Sequence, residues 1–343
     1  MKRGCVIGYD INEKGCQISY YDDSMEEPDT MMASSNNYLI PLVLGYFKDR
    51  WVFGKEAKRL AVVGEDCTET DLYGKAKRRE KVSLAGKTYD AVWLLAKYIS
   101  LTLQDFENIQ YLTFTTPETD VDMAKMLKGI GQHIGVDKEI INVQDYKESF
   151  CQYMIFQPKE LWQYESALFY CDEDRIKAYM LRRLRVDASH GMNSFVTVDE
   201  VANAQRKELE ALYPIMNKEK SPDESFKSMI ENVFEKKVIS SVYLTGEGFE
   251  KNWYPNSLRV LCNGRRAFMG NNLYSKGACY KSIRKCEPND DGPIYLDETK
   301  LTERICLRMR VDGQEGWYPL VTWGTHWYEA DGQWEVLLED ASD

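Results

Sequence analysis

Two aspartates in this chain each follow a short apolar run and precede a polar turn. Asp10 follows the run at 6–9, and Asp172 follows the run at 167–171. A second strand-like run comes after each turn, so the two segments share one layout at positions about half the chain apart. Facing carboxylates bind Mg²⁺ or exchange protons with a substrate. We therefore expect an internal duplication whose halves face each other across a cleft, with Asp10 and Asp172 as a catalytic pair at its floor.

A glycine turn after the apolar strand at 238–244 is the second place where a ligand is expected. Gly246 and Gly248 flank Glu247 there. Glycine lets the backbone approach a planar or phosphorylated ligand closely, and amides at a following helix start favour anions. A tight turn between a strand and a helix has the same pattern, so both interpretations stay open on these residues alone.

The elements that position these residues alternate along both halves. In the first half, helices are predicted at 54–61, 89–106, 120–134 and 146–156, and strands at 38–44, 51–53, 109–115 and 139–143. In the second half, helices are predicted at 197–213, 222–237 and 271–284, and strands at 238–244 and 258–261. A hairpin followed by such alternation predicts an α/β fold with a mixed, mostly parallel sheet in each half. Ligands of such sheets bind beyond the carboxyl ends of the strands, where Asp10, Asp172, Thr116 and Gly246 are placed.

The last part of the chain has a different pattern. Strand-like runs occur at 294–296, 305–311, 317–323 and 334–338, with glycine turns at 312–313 and 331–332 and no helical spacing. This pattern predicts a small antiparallel β module. The predicted organisation is therefore a first lobe at 1–160, a second lobe at 161–289 and the β module at 290–343.

Several pieces, in order over about 4–285, resemble the actin-like ATPase superfamily, which includes sugar kinases, actin and heat-shock chaperone ATPases. Residues 7–10 are similar to the I-G-I-D strand of its first phosphate hairpin, and residues 112–117 to its "V-P" strand. Residues 40–41 and 52–58 resemble the chaperone pattern P-S-x-V followed by V-G-x-x-A-K. Residues 244–249 resemble the L-x-G-G-x-x segment that closes on adenosine, and 270–278 the helix with a glycine–alanine pair that follows.

The resemblance implies a duplicated actin-like (ribonuclease H-like) ATPase fold that binds ATP or ADP with Mg²⁺. The residues that it implies for cofactor binding are Gly8, Asn12, Lys14, Gly246, Glu247, Gly248 and Lys276. It implies Asp10 and Asp172 as the catalytic and Mg²⁺-binding pair.

The two phosphate turns depart from the superfamily pattern. The second turn, at 173–175, has no glycine, and Glu13 and Glu173 place acidic side chains where a γ-phosphate would lie. Two like charges about 4 Å apart repel by on the order of 4 kcal/mol at an effective dielectric constant of about 20. We therefore expect a nucleotide-binding protein that binds ATP weakly, with little or no hydrolysis.

Two alternatives remain open. One is a non-enzymatic interaction scaffold on a vestigial ATPase fold, which binds a protein partner through the β module, the cleft or the loop at 64–88. The other is an active chaperone-like or cytoskeletal ATPase. Glu148 is a candidate acid for positioning the attacking water, and its other interpretation is an exposed helix glutamate.

Composition limits the environment of the chain. The net charge of −11 argues against nucleic-acid partners and anionic membranes, both of which require a basic face. The nine cysteines are scattered without a C-x-x-C pair, which is typical of reduced thiols rather than of disulfides or zinc. No apolar run approaches the length of about 20 residues that a membrane span needs. These features predict a cytoplasmic protein.

Overall fold

The computed structural model describes residues 4–34, 37–63, 67–184, 194–205, 221–286, 292–330, 332 and 335. Over these residues the chain is a mixed α/β protein with two six-stranded sheets, which confirms the predicted α/β class. In the first sheet only two of the five described strand pairings are parallel, so the expectation of a mostly parallel sheet is wrong there. One sheet is built from the first half of the chain and the other from the second half.

The first half contains the following elements. Its strands are β1 (Cys5–Ile11), β2 (Gly15–Tyr21), β3 (Asp29–Thr30), β4 (Ile40–Pro41), β5 (Leu44–Phe47), β6 (Arg50–Phe53), β7 (Thr68–Glu69), β8 (Lys81–Leu84), β9 (Lys87–Asp90), β10 (Ile109–Thr116) and β11 (Ile141–Asp145). Its helices are α1 (Gly54–Val63), α2 (Leu72–Lys77), α3 (Ala91–Thr102), α4 (Val121–His133) and α5 (Tyr146–Ile155). Its main sheet has the order β11-β10-β1-β2-β3, and β4 also pairs with β2.

The second half has a sheet of the same design. Its strands are β12 (Glu165–Cys171), β13 (Arg175–Leu184), β14 (Phe195–Gln205), β15 (Ile239–Thr245), β16 (Arg266–Met269) and β17 (Ile294–Tyr295), and its helices are α6 (Pro222–Phe234), α7 (Pro255–Leu261) and α8 (Leu273–Cys286). The order is β16-β15-β12-β13-β14-β17. In each sheet the leading strand pairs antiparallel with its hairpin partner and parallel with a later strand. A second later strand extends that parallel edge.

Helix α8 joins the halves, because it belongs to the second half and packs on the first sheet. A Cβ atom at Gly8 of β1 would lie 2.1 Å from the carbonyl oxygen of Ser275 in α8. A Cβ atom at Gly277 of α8 would lie 2.0 Å from the carbonyl oxygen of Ser149 in α5. Glycine is therefore required at both crossings. Ser275 also shares a hydrogen bond of 2.8 Å with Ser19 of β2, so the contact is polar as well as close.

The central strand β1 is buried on both faces, as a strand covered on both sides must be. Ile7 and Tyr9 on one face have no exposed surface, and Val6 and Asp10 on the other face are each 3% exposed. Helix starts near this sheet are capped by aspartates. Asp145, for example, ends β11 and accepts a hydrogen bond of 2.8 Å from the amide of Glu148. This cap sets where α5 begins, directly beyond the carboxyl end of the sheet.

Three sequence-based assignments are wrong. The helix predicted at 197–213 is strand β14 as far as 205, and 206–213 lie outside the described residues. Its apolar residues pack on the sheet through pairing with β13, which overrides the capping pattern at 197–200. The strand predicted at 258–261 is part of helix α7, which has Pro255 at its first turn. The loop predicted at 64–88 contains β7, α2 and β8.

The C-terminal part begins with residues 294–301, which we call the strap and which pair with the second sheet, and continues into a hairpin. Strands β18 (Ile305–Val311) and β19 (Gln314–Val321) pair antiparallel, with Asp312 and Gly313 in the left-handed region at φ values of 49° and 80°. Strand β17, which the sequence placed in the module, instead pairs with β14 of the second sheet. The strand predicted at 334–338 lies outside the described residues, apart from position 335.

Candidate functional site

Asp10 lies at the end of β1 with 3% of its surface exposed. The hydroxyl group of Tyr146 donates a hydrogen bond of 2.7 Å to its Oδ1 atom. The side-chain amide of Asn12 in turn donates to the Tyr146 hydroxyl oxygen over 2.9 Å. Burial raises the pKa of Asp10 to about 7, although the bond from Tyr146 opposes this shift. Asp10 is therefore an acid that titrates near neutral pH.

Two stacked tyrosine rings fill the space beside Asp10. Tyr146, at the start of α5, and Tyr274, in α8, have ring centroids 3.7 Å apart and an interplanar angle of 7°. Tyr274 is 4% exposed, and its hydroxyl group has no hydrogen-bond partner within the described part of the chain. Aromatic side chains from both halves thus occupy the floor of the expected cleft.

The two hairpin turns hold themselves together with their own polar side chains. Oδ1 of Asn12 accepts hydrogen bonds from the amides of Lys14 over 2.9 Å and Gly15 over 3.2 Å. Oδ1 of Asp172 accepts bonds of 2.8 Å each from the amides of Asp174 and Arg175. The Asp172 carboxylate, which was predicted to bind Mg²⁺, therefore already accepts two hydrogen bonds that stabilise its own turn.

Lys14 links the first hairpin turn to the glycine turn of the second half. Its ammonium group forms a short ion pair with the carboxylate of Glu247. Burial alone would lower the pKa of Lys14, but the bond to Glu247 and the charges of Glu247, Glu173 and Asp172 raise it. The structure therefore brings Lys14 of the first hairpin turn into contact with Glu247 of the glycine turn.

The glycines of the second turn are explained by contact with the chain itself. Gly246 has a φ of 100°, and a Cβ atom there would lie 2.2 Å from the carbonyl oxygen of Cys171. A Cβ atom at Gly248 would lie 2.3 Å from the Cys171 sulfur. Both glycines let the turn pack against the end of β12, which is the tight-turn interpretation left open by the sequence.

The remaining predicted residues lie at contacts between elements. Gly8 faces α8, and the Lys276 ammonium lies 3.9 Å from a carboxylate oxygen of Glu27. Within the described ranges, no group of three or more His, Cys, Asp or Glu side chains is arranged to hold a metal ion. Because Asp10 and Asp172 also accept hydrogen bonds from the chain, their present arrangement is a poor fit for Mg²⁺, whose binding there remains a prediction.

A buried ionic cluster that the sequence did not reveal surrounds Glu148. Its side chain is 3% exposed, and its carboxylate lies 3.0 Å from the Lys281 ammonium and 2.9 Å from the Lys300 ammonium. Burial alone would raise the pKa of Glu148, but the charges of Lys281, Lys300 and His326 lower it below its usual range. The interpretation of Glu148 as an exposed helix glutamate, which the sequence left open, is therefore wrong.

Beside this cluster lies a polar cavity of about 300 Å³, which we call the junction pocket. It opens beyond the carboxyl ends of β10 and β11, between the two halves and the C-terminal strap. Residues that line it include Asp145, Glu148, Lys177, Glu200, Asp297 and His326. Burial raises the pKa of Asp145 to about 6. A concave site with several perturbed titratable groups is typical of ligand binding.

Comparison with known families gives two matches along the chain. Residues 27–298 match the family of unknown function DUF5716, C-terminal, which covers more than half of the chain. The chain belongs to this family. Residues 300–343 match a domain of unknown function, DUF8552. No curated protein sequence matches the chain. The ion pair between Glu148 and Lys300 thus joins the DUF5716 C-terminal region to the first residue of the DUF8552 region.

No helix among the described residues is long and apolar enough to cross a membrane.

Proposed function

We propose that this member of the DUF5716 C-terminal family has a duplicated actin-like (ribonuclease H-like) fold and acts as a cytoplasmic, non-enzymatic interaction scaffold. The shared strand order of the two sheets supports the duplication. In both sheets a leading hairpin is followed by strands that extend the parallel edge. Helix α8, which crosses from the second half onto the first sheet, gives the two units a common packing surface.

The observation that carries the scaffold proposal is the contact between Asp10 and Tyr146. The sequence places Asp10 where phosphate and Mg²⁺ chemistry is expected, yet its carboxyl group accepts a hydrogen bond of 2.7 Å from the Tyr146 hydroxyl. The ring of that tyrosine stacks on Tyr274 at 3.7 Å and fills the adjoining space. A nucleotide phosphate bound at Asp10 would have to break the hydrogen bond from Tyr146 and lie beside a carboxyl group. Side chains that occupy a cleft in this way favour a vestigial site over a working one.

The exposed hairpin of β18 and β19 is evidence for a protein partner. Ile305 is 56% exposed, Leu307 36% and Val311 38%, although apolar residues alternate along β18 as in a strand that buries one face. A two-stranded hairpin with open edges is marginally stable by itself in water. We expect a partner to cover this face of β18, and the variant pair Ile305→Ser with Leu307→Ser to abolish that binding.

A second candidate function is weak binding of ATP or ADP with Mg²⁺. It is favoured by the convergence of Lys14 and Glu247, which come from turns predicted to hold opposite ends of a nucleotide. If Glu247 moved aside, Lys14 would be available to a phosphate group. The active chaperone-like or cytoskeletal ATPase requires in addition a bound Mg²⁺ that the present arrangement of Asp10 and Asp172 fits poorly.

Calorimetric titration with ATP–Mg²⁺ and ADP–Mg²⁺ separates these functions. The scaffold proposal predicts no binding heat at millimolar nucleotide for the folded wild-type chain or for Glu247→Gln, which frees Lys14 from its ion pair. Binding by the wild type that strengthens in Glu247→Gln and is lost in Lys14→Met would overturn it in favour of nucleotide binding. Phosphate release that disappears in Asp10→Ala would establish the active ATPase instead.

A further inference from the structure

The junction pocket contains more negative than positive charge. Besides Glu148, the pocket lining has five carboxylates but only two lysines, Lys147 and Lys177. The five carboxylates belong to Glu118, Asp145, Glu200, Asp297 and Glu298. The Lys177 ammonium lies 3.5 Å from Glu200 and 3.9 Å from Glu118, and that of Lys147 lies 4.0 Å from Asp145. All three separations are long for hydrogen-bonded ion pairs. Glu148 with Lys281 and Lys300 contributes one net positive charge, so six carboxylates face four ammonium groups in all and the excess stays negative.

Two buried hydroxyl groups beside these carboxylates have no hydrogen-bond partner in the described ranges. One belongs to Thr119, which lines the pocket. The other belongs to Tyr295, which is 3% exposed. The Lys300 ammonium lies 5.5 Å from the centroid of the Tyr295 ring. Tyr295 lies behind the pocket lining, whereas Thr119 is part of it. Buried hydroxyls without partners are uncommon, and a ligand in the pocket that bonds to the Thr119 hydroxyl removes its cost.

We propose that the junction pocket binds a small organic cation with a primary ammonium group, of which an alkyl diamine is the simplest example. An ammonium group has three donors and no acceptor, which suits a site of carboxylate and hydroxyl oxygens. A volume of about 300 Å³ admits a molecule of this size. A directly chelated metal ion is less well matched, because the described residues contain no cluster of three metal-ligating side chains.

The contacts of Asp145 and Asp297 make these two residues the expected anchors. Asp145 uses Oδ1 to cap α5, which leaves Oδ2 toward the lysine and the cavity. Asp297 accepts the hydroxyl of Thr299 over 2.7 Å and is not paired with a cation in any described contact. His326 lies 2.8 Å from the Thr299 hydroxyl and closes this side of the pocket. The site uses none of the cleft residues, so this inference stands independently of the proposed scaffold function.

Titration calorimetry of the full chain with 1,4-diaminobutane tests this proposal, with 1,4-butanediol as the neutral ligand of equal length. We expect the diamine to bind and the diol not to bind. Asp145→Asn keeps the helix cap but removes the charge, and it should weaken diamine binding tenfold or more, as the loss of a charge-assisted hydrogen bond does. Glu231→Gln makes the same charge change on the exposed face of α6 and should leave the affinity within about twofold.

Three results would overturn the proposal, provided that thermal melts show each variant to be folded. They are no binding of the diamine at millimolar concentration, equal binding of the diol, and equal weakening in Asp145→Asn and Glu231→Gln. Competition of Mg²⁺ alone for the same site, with the same loss in Asp145→Asn, would replace the organic cation with a metal ion. Because no nucleotide is present, failure here leaves the nucleotide titrations unaffected.

Discussion

The ammonium group of Lys300 lies 2.9 Å from the carboxylate of Glu148, and their side chains are only 4% and 3% exposed. The pair joins the C-terminal strap to helix α5, which itself packs between the two sheets. Lys281 of α8 contacts the same carboxylate at 3.0 Å. Three segments that are distant in sequence therefore meet at one buried charge. The strap is held to the body by electrostatics as well as by the pairing of β17 with β14.

Replacing Lys300 with methionine should destabilise the protein by about 3 kcal/mol, because removing one partner of a buried ion pair leaves a poorly compensated charge. Lys281 still contacts Glu148, which keeps the loss at the lower end of the range for such pairs. Urea denaturation measures the change. Arg308→Met is the matched control, since Arg308 pairs with Glu315 on the hairpin at 64% and 55% exposure and should contribute less than about 1 kcal/mol. Equal losses in both variants would show that burial does not govern the Lys300 pair.

Glu148→Gln should loosen the strap without unfolding the sheets, because it leaves Lys281 and Lys300 as neighbouring buried cations with no carboxylate. We expect faster amide hydrogen exchange at Leu296 and Leu301, whose amides bond to Val196 and Thr325 across the strap contacts. The amides of β1 should keep their protection. Glu315→Gln on the exposed hairpin is the control and should change neither set. Unchanged exchange at Leu296 in Glu148→Gln would mean that strand pairing alone holds the strap.

Asp10→Asn should change how stability depends on pH. The folded-state pKa of about 7 lies above the ordinary aspartate value of 3.8, so the folded protein keeps a proton that the unfolded chain releases. The stability that this proton contributes is complete below pH 4 and is lost as the pH rises through 7. Relative to the variant, the wild type should therefore lose roughly 2–4 kcal/mol between pH 4 and pH 7 and remain constant above it.

Asparagine keeps an oxygen acceptor for Tyr146 in that experiment, so the comparison isolates the charge. Denaturant midpoints measured at several pH values for both proteins give the difference directly. Parallel pH curves for the wild type and Asp10→Asn would mean that Asp10 titrates like an exposed carboxylate, against its burial.

Gly246→Ala should destabilise the protein by about 3 kcal/mol or more, through backbone strain and collision together. Alanine is strained at a φ of 100°, and its Cβ atom would lie 2.2 Å from the Cys171 carbonyl oxygen. Gly264→Ala provides the control, because Gly264 has a φ of 71° and no atom within 4 Å of an added Cβ. That variant should lose only about 1 kcal/mol, the conformational cost alone. Thermal melts compare the two, and similar losses would mean that the contact with Cys171 relaxes easily.

Much of the architecture was predictable from local sequence. Apolar runs bounded by turn residues located both hairpins, and the helices predicted from 120 and 222 do begin at Val121 and Pro222, each after a capping side chain. The equal layouts around Asp10 and Asp172 indicated two similar halves, and the two sheets do share one strand order. These features succeed because periodicity and capping act within a few residues.

Local pattern failed where pairing partners lie far away. The segment beginning at Thr197 has the start signal of a helix, but ten residues of β13 pair with its strand and determine the outcome. The glycines at 246 and 248 looked open to a ligand, and only folding shows that the end of β12 fills the space beside them.

The sequence by itself determined most of the elements, the leading hairpin of each half and the residues that could bear charge. The tertiary structure decided which of those charges are buried and what they contact. Glu148 has an ordinary helical setting in the sequence, and its two lysines come from positions 281 and 300. Asp10 lies beside Tyr146 only because α5 begins at the edge of the sheet. Burial and long-range pairing arise from packing between distant segments, and packing sets the dielectric environment on which any chemistry of these groups depends.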